Sequence, residues 1–508
     1  MTSPALRPVR TGVLTAATAF ALACLGAPSA HADTCQAGTE SDFNGDGAAD
    51  LAIGDPDADV GGAERAGRIT VAYGGGGSAH ILERGTGSVP GSPGQGDRFG
   101  EVMDTFDHDG DGCSDLIVGL PYEDVNGLEE AGAVLIVYGS PTGLGEEAAA
   151  QVWDQDTAGF GGSPEAGDWF GHAVAAGNMP DGEPYAVVGI PGESIGDVKD
   201  AGYIQYVRGD YIANFHQDTD GVPGAPETND RYGFDVAVTD TLMVIGSPGE
   251  APGPETFAGH VHLFNHEQAD VMPDFVGSLN QNLDSSVSGG VTDVAEVGDR
   301  TGTSVHAIDY LTTSGSTETM IAIGSPGEDL GTGETDTGAV HVFSSQADGT
   351  LSELFFADRD TGGMDLAQRS DFLGQQVLLV DTTPGQNATT TSIKLVVGTP
   401  GHTVGQDRAA GMVQVFHPLT GTVTDRVDLD RSGHAALGAP VAGGHFGMSF
   451  HATADDLYLA TPFDPDDPGA VHAVSWTDLE SGTPTWNSWI PGQNGIPAGG
   501  TAFGAALG

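Results

Sequence analysis

Basic residues are scarce in this chain. Sixteen Lys and Arg stand against 72 Asp and Glu in 508 residues, a formal net charge of −56. Such a surface repels nucleic acid and anionic membranes. Cations, neutral glycans and proteins with basic patches remain as partners. Only three cysteines occur, and aromatics make up 7% of the chain. Long helices are disfavoured by 80 glycines and 29 prolines. No G-x-S-x-G elbow occurs, and no Gly-rich phosphate loop precedes a helix. His266-Glu267 opens an H-E-x-x-H pattern, but Asp270 stands where the second histidine belongs, so the zinc motif fails. His260 and His262 alternate on one strand face with no third ligand in evidence. A carboxylate pair suited to glycoside hydrolysis stays open, because any two of so many acids could meet in space.

A single apolar run, residues 12–25, follows Arg7 and Arg10 and precedes the small-x-small site Ala30-His31-Ala32. Residues 1–32 read as a secretion signal peptide, with the mature chain starting at Asp33 and the protein secreted to the extracellular side. The run is too short and alanine-rich for a membrane span, and no second one follows. Cys24 falls inside the signal, where a lipoprotein reading of ALAC has a poor flanking pattern. Cys35 and Cys113 remain, and in an oxidising compartment an even pair suggests one disulfide. Their nearness in space is not given by their spacing.

What the chain has is repetition. A Gly-x-Pro triplet after a short aliphatic run appears as LAIGDP (51–56), LIVGLP (116–121), AVVGIP (186–191), MVIGSP (243–248), IAIGSP (321–326) and LVVGTP (395–400), with Ala460 replacing the glycine in LYLATP (457–462). In phase with it comes a small residue, a glycine and an alternating strand, as in AGRITVAYG (66–74) and AGAVLIVYG (131–139). A third signal pairs a bulky residue with glycine: Phe99-Gly100, Phe170-Gly171, Tyr232-Gly233, Leu373-Gly374 and Phe446-Gly447, with Thr301-Gly302 lacking the aromatic. The first repeat has no such pair ahead of it. The missing one stands at the far end, Phe503-Gly504 in TAFGAALG (501–508). A closed ring uses that arrangement, because the last strand completes the first unit and no sheet edge stays open. Residues 33–508 are therefore expected to form an all-β, seven-bladed β-propeller closed by pairing of the N- and C-terminal segments.

These paired motifs resemble the FG-GAP repeat family, the propeller type of integrin α-subunit heads and of many exported bacterial proteins. The resemblance covers essentially the whole mature chain. It implies calcium in inter-strand loops of some blades and an adhesive or binding role.

Two loops carry the matching chemistry. DHDGDGCSDL (107–116) places Asp107, Asp109, Asp111 and Asp115 at loop positions 1, 3, 5 and 9, with the Cys113 carbonyl at position 7. DFNGDGAADL (42–51) offers Asp42, Asn44, Asp46, the Ala48 carbonyl and Asp50. Alternate side chains on a glycine-turned loop converge into a cage of hard oxygens, which suits Ca2+ over zinc or copper. The start matches an EF-hand, but position 12 is Ile53 or Val118, so the closing carboxylate is the aspartate at position 9. Two carboxylates about 4 Å apart repel by roughly 4 kcal/mol at an effective dielectric near 20. The second loop has one more carboxylate than the first, and is expected to bind calcium more tightly. Two calcium sites are expected. The PGE segments at Glu193, Glu250 and Glu328 could contribute metal ligands elsewhere but read first as surface acids, and Arg208-Gly209-Asp210 as a strand end that spells RGD by chance.

The functional expectation is a calcium-binding module for an extracellular protein or glycan. The competing expectation is a propeller-scaffold hydrolase or lyase acting on polysaccharide or lipid. Convergent acids, histidines or arginines in a deep central pocket would favour the second.

Overall fold

The computed structural model describes residues 35, 38–269, 272–282, 287–288, 290–330, 333–362, 364, 367–465 and 468–508. The expected signal peptide lies outside them. The described strands form seven antiparallel sheets, each built from strands consecutive in sequence. Blade two is typical, with Val102–Phe106, Asp115–Leu120, Ala133–Val137 and Gln151–Trp153 in spatial order. In every blade the Gly-x-Pro strand is second and the small-Gly strand third. Blade five adds Val287–Ser288, parallel to the strand Leu351–Asp358.

Blade one has only Leu51–Asp55, Arg68–Ala72 and His80–Leu82 as named strands. The chain end supplies its inner edge. Ala52 and Gly508 exchange two backbone hydrogen bonds of 2.8 and 3.1 Å, Gly54 N donates to Ala506 O at 2.9 Å, and Gly504 N donates to Gly54 O at 2.7 Å. The ring is closed by its own termini.

The two glycine motifs are halves of one lock. The bulky residue before each second glycine bridges the glycine that opens the previous blade's third strand, as Phe99 does to Gly67 and Phe170 to Gly132. The glycine after it faces the Gly-x-Pro glycine. A Cβ on Gly54 would lie 1.9 Å from Gly100 O, and one on Gly119 2.0 Å from Gly171 O. Only glycine lets two blades approach so closely. Thr301 lacks the ring, but it is 3% exposed, and its hydroxyl donates to Gln281 Oε1 at 3.0 Å and meets Ser325 Oγ at 2.8 Å. At the seventh junction Ala460 packs against Gly504, and Ser449 Oγ donates to Gly504 O at 2.6 Å.

The apolar core lies between sheets rather than within one body. Seven buried clusters each bridge neighbouring blades. The cluster across the closure joins Leu51 and Ile53 to Ala460, Val471 and Phe503. Burying the facing sides of adjacent sheets is what holds a ring of short strands together.

Candidate metal loops

The second acidic loop links the first and second strands of blade two, and the first leads into Leu51–Asp55 of blade one, both at the end of the sheets away from the glycine locks. Its backbone is wound around its own carboxylates. In the second loop Asp107 accepts from Gly110 N at 2.8 Å and Gly112 N at 3.0 Å, and Asp109 from Asp111 N at 3.2 Å. Asp115 closes the turn, accepting from His108 N and Gly139 N, both at 2.7 Å. The first loop repeats the pattern. Asp42 accepts from Asp46 N and Gly47 N at 3.1 and 2.8 Å, and Asp50 from Phe43 N and Gly74 N, both at 2.9 Å.

Ligand oxygens of Asp107, Asp109 and Asp115 lie within 4.8 Å of one another. In the first loop the equivalent trio is Asp42, Asn44 and Asp50, one carboxylate fewer. Asp111 sits instead within 4.8 Å of the sulfurs of Cys35 and Cys113. Those sulfurs form a disulfide spanning 78 residues, Cα to Cα 5.1 Å, so they are spent as ligands. The loops also touch directly, through Ser114 N donating to Asp42 O at 2.9 Å. A Cβ on Gly45 would meet Cys35 Cα at 2.5 Å, so the first loop, the disulfide and the second loop form one contiguous layer.

Burial pushes Asp50 up to about 7 against the pull of its two backbone donors, and the charges of Asp42 and Asp46 push the same way. Burial also raises Asp115 to about 7, with Asp109 and Asp107 adding to the rise. Closely spaced, all-oxygen and short of positive charge, the donor set fits a hard divalent cation.

Some supporting residues had no obvious reading in the sequence. Asn178, from blade three, donates to Asp107 O at 2.6 Å and accepts from Asp107 N at 2.8 Å, bracing the second loop from outside. Gly74 and Gly139, which end the third strands of blades one and two, donate to the closing aspartates. A Cβ there would lie 2.1 Å from Ala49 O or 2.2 Å from Ser114 O. The glycine ending AYG and VYG was the available signal.

The expectation for the PGE segments is overturned. Glu193, Glu250 and Glu328 are 8, 8 and 3% exposed, because the segment leading into each blade's first strand folds over them. Arg208 and Asp210 flank a tight hairpin turn at Gly209. Arg208 pairs with Glu183 at 2.9 Å and donates to His266 O at 2.7 Å. The rings of His260 and His262 lie side by side, tilted with centroids 4.5 Å apart, His262 buried and His260 partly so. His266 bonds to Tyr206 Oη and Thr239 O at 2.8 Å each, holding two blades together.

The ring's inner wall carries acids and histidines, but these staple blades. Asp104 accepts from Ala176 N and Thr105 N, both at 2.8 Å, and Asp235 from Val305 N and Val236 N at 2.8 and 3.0 Å. His306 Nδ1 accepts from Leu379 N at 3.2 Å. No helix among the described residues is long and apolar enough to cross a membrane.

No family model and no curated protein matches the chain. Among solved structures it is similar to PorZ, described as an essential bacterial surface component of the type-IX secretion system of Porphyromonas gingivalis. Identity is 13% and the TM-score 0.35, over 84% of this chain and 50% of that one. This chain thus spans half the length of that neighbour, and a likeness so distant carries no argument about function.

Proposed function

We propose that the protein is an exported, calcium-binding propeller of the FG-GAP type that serves as a binding or adhesion module for an extracellular protein or glycan. The observation that carries the reading is the convergence of Asp107, Asp109 and Asp115 on one point of a loop whose register is copied in blade one. Asp107, Asp109 and Asp115 would hold the ion in the second loop with Asp111 and the Cys113 carbonyl at its edge. In the first, Asp42, Asn44, Asp46, Asp50 and the Ala48 carbonyl would do so. A bound ion would offset carboxylate repulsion and tie the loops into the disulfide layer.

Binding is favoured over catalysis by the use made of the inner-wall acids. Asp104 and Asp235 accept backbone hydrogen bonds between blades. A hydrolase would need such groups turned toward a substrate.

The test is retention of the secreted chain on an array of extracellular glycans and on cell-surface protein, in 2 mM calcium and in excess chelator. Calcium-dependent retention without release of cleaved sugars is expected. Cleavage products, or retention indifferent to calcium, would overturn the reading.

A further inference from the structure

At the other end of the sheets, where the glycine locks lie, blade junctions repeat a second polar set. Three are built on arginine. Between blades one and two, Arg84 makes a two-point pair with Glu123 at 3.0 and 3.1 Å beside Asp97. Between five and six, Arg359 Nε donates to Asp371 at 3.0 Å; between six and seven, Arg431 donates to Asp464 at 2.8 Å.

The three junctions between those carry glutamine in the arginine's place. Gln155 Nε2 donates to Glu193 at 2.6 Å, Gln217 Nε2 to Glu250, and Gln281 Nε2 to Glu328 at 2.7 Å. A second exchange accompanies the first. At five of these six junctions, all but that of Asp464, an aspartate accepts the backbone N–H of the residue three before it. That residue is Gly94 or Gln368 beside an arginine, but Glu165, Glu227 or Glu296 beside a glutamine. Among the described residues the glutamine junctions therefore gather three acids with no paired cation, whereas an arginine junction has one or two acids around a guanidinium. An amide cannot neutralise a carboxylate, so the exchange leaves the acids short of positive charge.

Two observations beyond the acids point to a missing ligand. At the junction between blades four and five, Asp299 Oδ1 is buried without a hydrogen-bond partner, on a side chain 0% exposed. In addition, the arginine junctions show a positive group in the equivalent place. Between blades four and five, ligand oxygens of Glu296, Asp299 and Glu328 lie within 4.8 Å of one another.

We infer that the junction between blades four and five is a cation site, where a hard divalent ion takes the place that a guanidinium holds in the arginine junctions. Its ligands are Glu296, Asp299 and Glu328. Three carboxylates with no nitrogen or sulfur donor suit calcium. The site lies on the face opposite the acidic loops, and it does not depend on the loop reading. Glu296 is exposed, which gives this site an opening to solvent.

Equilibrium dialysis of the full chain against radioactive calcium at pH 8 tests this by counting bound ions. Gln281→Arg should bind one ion fewer than the parent. Asp109→Ala in the same assay removes only a loop ion, so the two classes of site fail separately. Should Gln281→Arg not fold, Glu296→Gln at the exposed rim should likewise lose one ion. A folded Gln281→Arg or Glu296→Gln protein with the parent's full count would overturn the proposal and leave these acids holding protons instead.

Discussion

Gly324→Ala is expected to destabilise the propeller by about 3 kcal/mol or more, at the upper end of overpacking costs. The added Cβ would stand 1.9 Å from Gly374 O, 2.9 Å from Gly374 C and 3.3 Å from Gly374 Cα. All three are backbone atoms of the next blade, so nothing flexible can yield. The two blades must part, and the apolar cluster between them parts with them. The seventh junction is the internal control. There an alanine, Ala460, already stands at the lock, and Ala460→Gly should cost only about 1–2 kcal/mol, the loss of one buried methyl and the added backbone freedom. Equilibrium urea unfolding of both variants reads the difference. A loss below 1 kcal/mol for Gly324→Ala would show that the junctions are softer than their glycines imply.

In excess chelator the protein should lose stability as pH climbs from about 6.5 through about 7, and calcium should lessen that loss. The acids set one side. Burial raises Asp50, Asp115 and Asp235 to about 7 and Asp104 to about 6. A carboxyl raised in the folded state stabilises it fully below the unfolded value, and that contribution is lost as pH climbs through the folded one. Stability therefore falls as pH climbs from about 4 to about 7 on their account. The histidines set the other side. Burial lowers His172, His260, His306 and His451 to about 4. A histidine lowered in this way stabilises the fold above its unfolded value near 6.5, and that contribution is lost as pH falls toward 4. Between 4 and 6.5 the two trends oppose; above 6.5 only the acids still act. Calcium held by the ionised loop acids would offset their share. At a hundred times its dissociation constant one site adds about 2.7 kcal/mol. Asp104 and Asp235 are blade staples and should keep their part of the alkaline loss. Thermal midpoints from pH 4.5 to 8.5, with calcium and with chelator, check this. Parallel curves would mean that the loop acids bind no ion.

The parts legible in the sequence are those fixed by neighbours along the chain. Strand alternation, the Gly-x-Pro glycine and the D-x-D-x-D-G spacing are local, and they specified the blade count, the ring closure and both acidic loops. The burial of Glu193, Glu250 and Glu328 was not legible, because their cover comes from other segments of the chain. Gln155, for one, contacts Glu193 from 38 positions upstream. Asp104 and Asp235 were invisible for the same reason, since their partners Ala176 and Val305 lie 72 and 70 residues on. The layer joining Cys35, Gly45 and Cys113 depends on two blades meeting, which spacing alone does not give.

The most direct test is a crystal structure of residues 33–508 grown in millimolar calcium, with anomalous data collected at long wavelength. The account predicts a calcium peak inside each acidic loop, bounded by Asp107, Asp109 and Asp115 in one and by Asp42, Asn44 and Asp50 in the other. Water in both loops at that concentration would contradict it.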